Sequence, residues 1–141
     1  MSVPPAWQTE SRRPRVLLVD DDHEILTAVQ YAMESEDYEV HIARDGNQGI
    51  AMAENVLPDL IVVDMMMPKR SGFLVLERLS QTYHRPLRAI MVTANEGDRH
   101  RAYAKLLGAS DYLIKPFAMA QLLEAARRLL NEPIPDMNAK N

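Results

Sequence analysis

The chain has 141 residues, 47% of them hydrophobic, which suits one domain of ordinary size with a packed core. The absence of cysteine excludes disulfide frameworks and thiolate zinc sites. A net charge of −4 without a Lys/Arg tract argues against a nucleic-acid-binding surface, and no apolar run is long enough to span a bilayer. Residues 1–13 also lack the apolar core of a signal peptide, so we expect a cytoplasmic protein.

The first third of the chain predicts a loose tail followed by a strand, a helix and a second strand. Residues 1–13 contain two prolines and mostly polar side chains, so we expect a flexible tail. Residues 15–19 end in four aliphatic side chains just before three aspartates, which is typical of a buried strand. Apolar residues then recur at helical spacing over 25–33, with Asp22 as the expected N-cap. Residues 38–42 alternate apolar and polar, which predicts a half-exposed strand near a sheet edge.

The middle of the chain predicts a second helix, a central strand and a third helix. Apolar positions over 50–56 mark a helix that ends before the next proline. Residues 60–63 are four branched aliphatic residues followed by Asp64, which predicts a strand buried on both faces with a carboxylate at its carboxyl end. The local alternative for Asp64 is a cap of the following turn. The third helix is marked by apolar positions over 73–79.

The last third of the chain adds two more strand–helix units. Residues 87–92 predict a buried strand, and residues 95–107 predict a helix that is stopped by Gly108. Residues 111–114 predict a short fifth strand. Residues 119–130 follow it with apolar side chains on one helical face, which predicts the fifth helix.

Five alternating strands and helices predict an α/β fold, with a parallel sheet covered by helices on both faces. We expect one domain over residues 14–130, between flexible tails at 1–13 and 131–141. The sequence shows no internal repeat, no low-complexity block and no sign of a second domain.

Polar residues able to do chemistry stand at the ends of four of the five predicted strands. They are Asp20, Asp21, Asp64, Thr93 and Lys115. Each has an ordinary local alternative, such as a helix cap, a solvated loop or a hydrogen bond to the backbone. Because all strands of a parallel sheet end at one edge, however, these side chains are expected to converge in space. Their joint placement predicts a functional site at the carboxyl edge of the sheet.

The chemistry open to such a cluster is restricted. Three carboxylates close together raise one another's pKa unless a cation lies among them. Oxygen ligands without cysteine or histidine favour Mg²⁺ over zinc, and Mg²⁺ commonly binds phosphate oxygens as well. A lysine ammonium and a threonine hydroxyl would then contact a phosphoryl group, and one carboxylate could act as a nucleophile and form an acyl phosphate.

Four motifs, in this order along the chain, resemble the receiver domain of two-component response regulators. They are Val-Leu-Leu-Val-Asp-Asp-Asp at 16–22, Pro-Asp-Leu-Ile-Val-Val-Asp-Met-Met-Met-Pro at 58–68, Ile-Met-Val-Thr-Ala at 90–94 and Asp-Tyr-Leu-Ile-Lys-Pro-Phe at 111–117. The resemblance covers about residues 14–130. It implies a flavodoxin-like, doubly wound, five-stranded parallel sheet of strand order 2-1-3-4-5 with five helices.

The resemblance also implies a role for each residue of the cluster. Asp64 is the expected phosphoacceptor, which attacks a phosphohistidine on a sensor histidine kinase or a histidine phosphotransfer protein. Asp21 is the expected direct Mg²⁺ ligand, Asp20 helps through water, and the backbone carbonyl of Met66 is the remaining protein ligand. Lys115 would pair with the phosphoryl group.

Thr93 and Tyr112 resemble the switch pair of this family. On phosphorylation, Thr93 is expected to move to a phosphoryl oxygen and Tyr112 to turn inward into the space that Thr93 leaves. The change would be read on the face formed by the fourth predicted helix, the fifth strand and the fifth helix. The alternative for Tyr112 is a plain core or edge aromatic residue. The resemblance further implies a cis peptide bond between Lys115 and Pro116.

Two positions depart from the family pattern. Asp22 stands where the family more often has Glu, and we expect little effect. Met66 places an apolar side chain two residues after the acceptor, and our hypothesis is that it shields the acyl phosphate from water. Separately, Tyr103 and Leu106 of the fourth helix are candidates for an exposed dimer or docking surface.

Our leading interpretation is a stand-alone phosphorylatable switch, a monomer or weak homodimer that binds an output protein or relays phosphate, without direct contact with nucleic acid or membrane. An alternative is the same receiver cut from a longer DNA-binding regulator. A more remote one is a Mg²⁺-dependent aspartyl phosphatase, which would want a general acid where Met66 stands. As a receiver, the domain would catalyse only its own phosphorylation and dephosphorylation, so we do not class it as an enzyme.

Overall fold

The central element of the fold is a five-stranded parallel sheet. A computed structural model of the chain describes residues 2–67, 71–82, 87–94 and 98–135. The strands of the sheet are β2 (Arg15–Val19), β3 (Glu39–Ala43), β4 (Leu60–Asp64), β5 (Arg88–Thr93) and β6 (Asp111–Ile114). They are all parallel and lie in the order β3-β2-β4-β5-β6. Counted within this sheet alone, that is the predicted order 2-1-3-4-5. The predicted flavodoxin-like, doubly wound sheet is therefore confirmed.

Among the described residues, six helices accompany the sheet. They are α1 (Ala6–Thr9), α2 (His23–Ser35), α3 (Gly46–Val56), α4 (Gly72–Thr82), α5 (Asp98–Leu106) and α6 (Met119–Asn131). The five longer helices are those that the apolar periodicity predicts, and the four-residue α1 makes the count six instead of five. Within the part of the chain that the structure describes, every helix is too short or too polar to cross a bilayer.

Capping side chains set where two of these helices begin. The Asp22 carboxylate accepts hydrogen bonds from two backbone N–H groups in the first turn of α2, as predicted. Asp45 does the same for α3 by accepting from the backbone N of Gln48 at 2.8 Å, so α3 begins before the apolar positions that predict it. The predicted start of the fourth helix at 95–97 and the connection at 83–86 lie outside the described residues.

The sheet separates two apolar layers, and successive residues of β2 point into different ones. Val16 and Leu18 pack with α2 and α6, whereas Leu17 and Val19 pack with α3, α4 and α5. Because both faces of the central strands are covered, their sequences are continuous apolar runs. Each fully buried aliphatic side chain contributes roughly 1.5–3 kcal/mol. This burial on two faces holds the carboxyl ends of the strands in fixed positions.

The N-terminal segment differs from the loose tail that the sequence predicts. Its first strand, β1 (Ser2–Val3), pairs antiparallel with β7 (Ile134–Pro135). The indole Nε1 of Trp7 donates to the backbone oxygen of Leu130 at 2.8 Å, and the Arg12 guanidinium binds both carboxylate oxygens of Asp59 at 2.8 and 3.2 Å. These partners lie far apart in the chain, so no local pattern predicts the contacts.

The C-terminal segment also departs from the predicted flexible tail, because α6 extends to residue 131 and β7 follows it. Residues 136–141 lie outside the described part of the chain. The limits of the domain at residues 14 and 130 stay a prediction.

Candidate functional site

Three carboxylates meet at the carboxyl edge of the sheet. Asp20 directly follows β2 and Asp64 is the last residue of β4, and these two strands are neighbours in the sheet. One carboxylate oxygen from each of Asp20, Asp21 and Asp64 lies within 4.8 Å of the others. Asp20 and Asp64 are each only 6% exposed, whereas Asp21 is exposed to solvent. The cluster is thus buried on the protein side and open on the Asp21 side.

The ammonium group of Lys115 reaches two of these carboxylates. Its Nζ lies 3.0 Å from Oδ2 of Asp20 and 3.3 Å from Oδ2 of Asp64. The backbone N of Lys115 donates to the oxygen of Thr93 at 2.7 Å, which continues the pairing of β5 with β6. The Lys115–Pro116 peptide bond is cis, as the resemblance implies. The lysine is therefore held at the sheet edge with its charge directed at the acidic cluster.

Backbone N–H groups orient the two buried carboxylates. Oδ1 of Asp20 accepts from the backbone N of Asp22 at 2.9 Å, and Oδ1 of Asp64 accepts from the backbone N of Met66 at 3.1 Å. These bonds leave Oδ2 of each carboxylate as the atom that Lys115 contacts. The side-chain geometry is thus set by the turns that directly follow β2 and β4.

The charges of the site perturb its titratable groups. Burial raises the pKa of Asp64, the Met66 hydrogen bond lowers it and the Asp20 charge raises it again, with a result of about 6. Burial by itself lowers the pKa of Lys115, but its hydrogen bond to Asp20 and the charges of Asp20 and Asp64 outweigh burial, so the net shift is upward. Lys115 therefore stays protonated.

The donor set fits a hard divalent cation. Three carboxylates face one ammonium group, so the site keeps an excess of negative charge. Its ligand atoms are oxygens, and its exposed side gives access to water and phosphate oxygens, which suits Mg²⁺. No sulfur or imidazole ligand lies among the three acidic residues, so a zinc site is disfavoured.

Gly72 is a residue of this site that sequence reasoning does not single out. A Cβ atom at Gly72 would overlap the backbone oxygen of Asp64 and would lie 2.9 Å from the Cα of Met65. The backbone N of Gly72 donates to the Met65 oxygen at 2.9 Å, so α4 begins directly against the end of β4. The only sequence signal was its place in the loop after the central strand. Close approach of backbone to backbone is what makes glycine necessary here.

Thr93 and Tyr112 lie on adjacent strands. Thr93 is fully buried at the end of β5, and Tyr112 is half-buried in β6. Tyr112 is opposite Met91 in the strand register, and both pack in the layer under α3, α4 and α5. Because Thr93 comes two residues after Met91, it points to the same face of the sheet. The two predicted switch residues therefore share one face.

Two further predictions concern exposed apolar side chains. Met66, two residues after Asp64, is 66% exposed. Tyr103 and Leu106 of α5 are also exposed, as expected, and the Tyr103 ring packs edge-on against Phe73 of α4 with the centroids 5.0 Å apart. A docking or dimer role for this surface stays a prediction.

The comparisons with known proteins agree with one another. A family model described as "Response regulator receiver domain" matches residues 16–127. The transcriptional regulatory protein CpxR of Escherichia coli K12 is 38% identical over 116 residues, which are 82% of this chain and 49% of CpxR. The response regulator MprA of Mycobacterium sp. strain KMS is 35% identical over 122 residues, 86% of this chain and 53% of MprA. The chain thus spans about half the length of these curated relatives.

Solved structures of receiver domains also match this chain, and the match covers nearly the whole length of each solved chain. A CheY-like receiver domain protein from Methanospirillum hungatei JF-1 superposes with a TM-score of 0.79 at 32% identity, covering 84% of this chain and 94% of that chain. The BeF₃-activated N-terminal receiver domain of Klebsiella pneumoniae RstA superposes with a TM-score of 0.76 at 25% identity, covering 84% and 99%.

Proposed function

This chain belongs to the response regulator receiver domain family, and we propose that it works as a phosphorylation-activated signalling switch. The phosphoryl group would come from a phosphohistidine on a sensor histidine kinase or a histidine phosphotransfer protein. The observation that carries the proposal is the meeting of Asp20, Asp21 and Asp64 with the Lys115 ammonium group at one edge of the sheet. The cytoplasm stays our prediction for its location.

Mg²⁺ would be held by Asp20, Asp21, Asp64 and the backbone carbonyl of Met66. The ion would neutralise the carboxylates and the oxygens of an incoming phosphoryl group. Without it, like charge on the cluster would repel a phosphoryl donor, because three carboxylates face one ammonium group. We therefore expect phosphorylation to require a divalent cation.

Asp64 is the nucleophile in this proposal. With a pKa of about 6 it is mostly ionised at pH 7. A carboxylate oxygen attacks the phosphorus, the P–O bond forms as the P–N bond to the donor histidine breaks, and the histidine ring leaves with the electron pair. Lys115 then pairs with the transferred phosphoryl group, and its position beside Asp64 supports that role. Attack by water on the acyl phosphate then releases inorganic phosphate and returns the free carboxylate.

Thr93 and Tyr112 would convert phosphorylation into a change of surface. The Thr93 hydroxyl would donate to a phosphoryl oxygen, and Tyr112 would turn inward into the space that Thr93 leaves. Their place on adjacent strands, with side chains on one face of the sheet, supports this coupling. The change would then be read on the α5–β6–α6 face.

Two forms of output are compatible with this switch. In the first form, the domain binds an output protein or relays the phosphoryl group. In the second form, it controls a DNA-binding region of a longer chain. The second form is favoured by one observation, that the chain matches about half of CpxR, which is named as a transcriptional regulatory protein. The length of the protein made in the native cell, measured by immunoblot, distinguishes the two.

Intact-mass measurement tests the proposed function directly. The wild type is incubated with Mg²⁺ and acetyl phosphate, beside Asp64→Asn and beside wild type with a chelator. We expect the mass of one phosphoryl group on the wild type with Mg²⁺ only. Asp64→Asn is the matched control because it keeps the size of the side chain and removes the nucleophile. An unmodified wild type, under conditions that label an authentic receiver domain, would contradict the proposal.

A further inference from the structure

The edge strand β6 is held between two arginines from different helices. Arg128 of α6 donates from Nη2 to Oδ2 of Asp111 at 2.8 Å. Arg101 of α5 lies over the ring of Tyr112, with its Cζ 5.2 Å from the ring centroid. Because neighbouring residues of a strand point to opposite faces, the two arginines hold opposite sides of the same strand.

The Arg101 contact has the geometry of a cation–π interaction, in which a guanidinium lies within about 6 Å of a ring centroid. Both residues line an open cleft of about 230 Å³ between α5 and β6, together with Lys105, Ser110 and Asp111. Tyr112 is half-buried and packs partly into the layer under α3, α4 and α5. In this structure its ring therefore contacts the core on one side and the Arg101 guanidinium on another.

We propose that Arg101 is a positioning residue that holds Tyr112 in its resting orientation and so raises the threshold for switching. The inference rests on the proposed function, because it assigns a regulator to the predicted switch residue. Arg101 would contact the Tyr112 ring in the resting state and would lose that contact when the ring turns inward. A residue that stabilises only the resting state lowers the population of the active state before any phosphoryl group binds.

The expected size of the effect follows from linkage. A ligand that binds the active state gains apparent affinity in proportion to the population of that state. Loss of an exposed cation–π contact should raise the population, and hence the apparent affinity, about two- to fivefold, which is about 0.5–1 kcal/mol at 1.4 kcal/mol per tenfold.

Beryllofluoride with Mg²⁺, a phosphoryl analogue, is the probe. Its apparent dissociation constant is measured for wild type, Arg101→Ala, Tyr112→Leu and the double variant. Arg128→Ala is the matched control, since it removes the arginine on the opposite side of β6. We expect tighter binding in Arg101→Ala, no further effect of Arg101→Ala when Tyr112 is already Leu, and wild-type affinity in Arg128→Ala.

A second measurement follows Tyr112 directly. With ¹³C-labelled tyrosine, the ring of Tyr112 should show contacts to the Arg101 side chain in the free wild type, and these should disappear with beryllofluoride. Free Arg101→Ala should shift the ring signal towards its position in the loaded wild type. Arg128→Ala should leave it unchanged.

Each other outcome counts against the inference. Equal affinity in Arg101→Ala and wild type overturns the positioning role while the proposed function stands. An equal gain in Arg128→Ala also overturns it, because β6 would then have been loosened in general. If the wild type itself does not bind beryllofluoride, the proposed function and the role of Arg101 both fall.

Discussion

The ammonium nitrogen of Lys115 lies 3.3 Å from Oδ2 of Asp64, although 51 residues separate them in the chain. The same nitrogen lies still closer, at 3.0 Å, to Oδ2 of Asp20. Lys115 thus bridges the two buried carboxylates of the cluster. Its charge partly offsets the repulsion between these two carboxylates.

Removal of this ammonium group should therefore make Asp64 harder to ionise. We expect the Asp64 pKa in metal-free Lys115→Met to rise by roughly one unit or more above its wild-type value, since an adjacent opposite charge commonly lowers a carboxyl pKa by about 1–3 units. A titration of the ¹³C-labelled carboxyl groups by NMR measures it. Lys105→Met, which removes an exposed lysine of α5, should leave the Asp64 titration unchanged. An unaltered curve in Lys115→Met would show that the charge has little influence on Asp64.

Asp64 should also make stability depend on pH. Its folded-state pKa of about 6 lies above the value of about 3.9 in an unfolded chain, so the folded state holds the proton more tightly. The stability that comes from this proton is fully present below about pH 4 and is lost as pH rises through 6. At pH 7 and without metal, Asp64→Asn should then be more stable than wild type by about 1–2 kcal/mol, after allowance for solvent screening.

Urea denaturation at pH 4 and pH 7 measures this difference. The gain from Asp64→Asn should be present at pH 7 and nearly absent at pH 4. Asp21→Asn is the comparison, because Asp21 is exposed and its substitution should change stability less. A gain of equal size at both pH values would mean that ionisation of Asp64 is not its cause.

Gly72 should tolerate no side chain. In Gly72→Ala the new methyl group overlaps the Asp64 carbonyl oxygen, so the turn after β4 must shift. We expect a loss of about 1–3 kcal/mol in the free energy of unfolding, as for other overpacked sites, together with slower labelling by acetyl phosphate. Gly49→Ala is a milder control, because its methyl would meet only the Val19 side chain, at 3.0 Å. Equal stability and labelling in Gly72→Ala and wild type would refute the steric argument.

Met66 should lengthen the life of the acyl phosphate. Its side chain follows the acceptor by two residues and is 66% exposed, so it can lie between the site and bulk water. We expect Met66→Asn to lose its phosphoryl group several times faster, because an amide can hydrogen-bond an attacking water where a thioether scarcely can. Decay of the phosphorylated mass after donor removal measures the rate, and Met66→Leu should behave as wild type. Equal rates in Met66→Asn and wild type would end the hypothesis.

The N-terminal segment should contribute to stability. Trp7→Phe removes the donor to the Leu130 oxygen, and Arg12→Ala removes both bonds from its guanidinium to Asp59. Each change should lower the free energy of unfolding by about 1–2 kcal/mol, since a hydrogen bond typically contributes about 1 kcal/mol and more when charged. Thermal unfolding measures it. Arg13→Ala is the control, because Arg13 is exposed and lies 4.0 Å from Asp37. If all three variants unfold like wild type, residues 1–13 behave as the loose tail that the sequence predicts.

The sequence alone determined the alternation of strands and helices. A strand buried on both faces has to be an unbroken apolar run. In a helix packed on one face, apolar residues have to recur every three to four positions. For this reason β2 begins and ends where the pattern predicts. The sequence also identified the polar residues at the strand ends. It predicted that they meet, because all strands of a parallel sheet end at one edge.

Only the tertiary structure decided the contacts between elements. Four contacts depend on distances across the fold. Lys115 bridges two aspartates, and Gly72 leaves no room for a methyl group. Trp7 and Arg12 hold the N-terminal segment, and Arg101 covers Tyr112. Periodicity reports only which face of an element is apolar. It contains no information on which side chain of another element will lie opposite, since that is settled when the layers pack together.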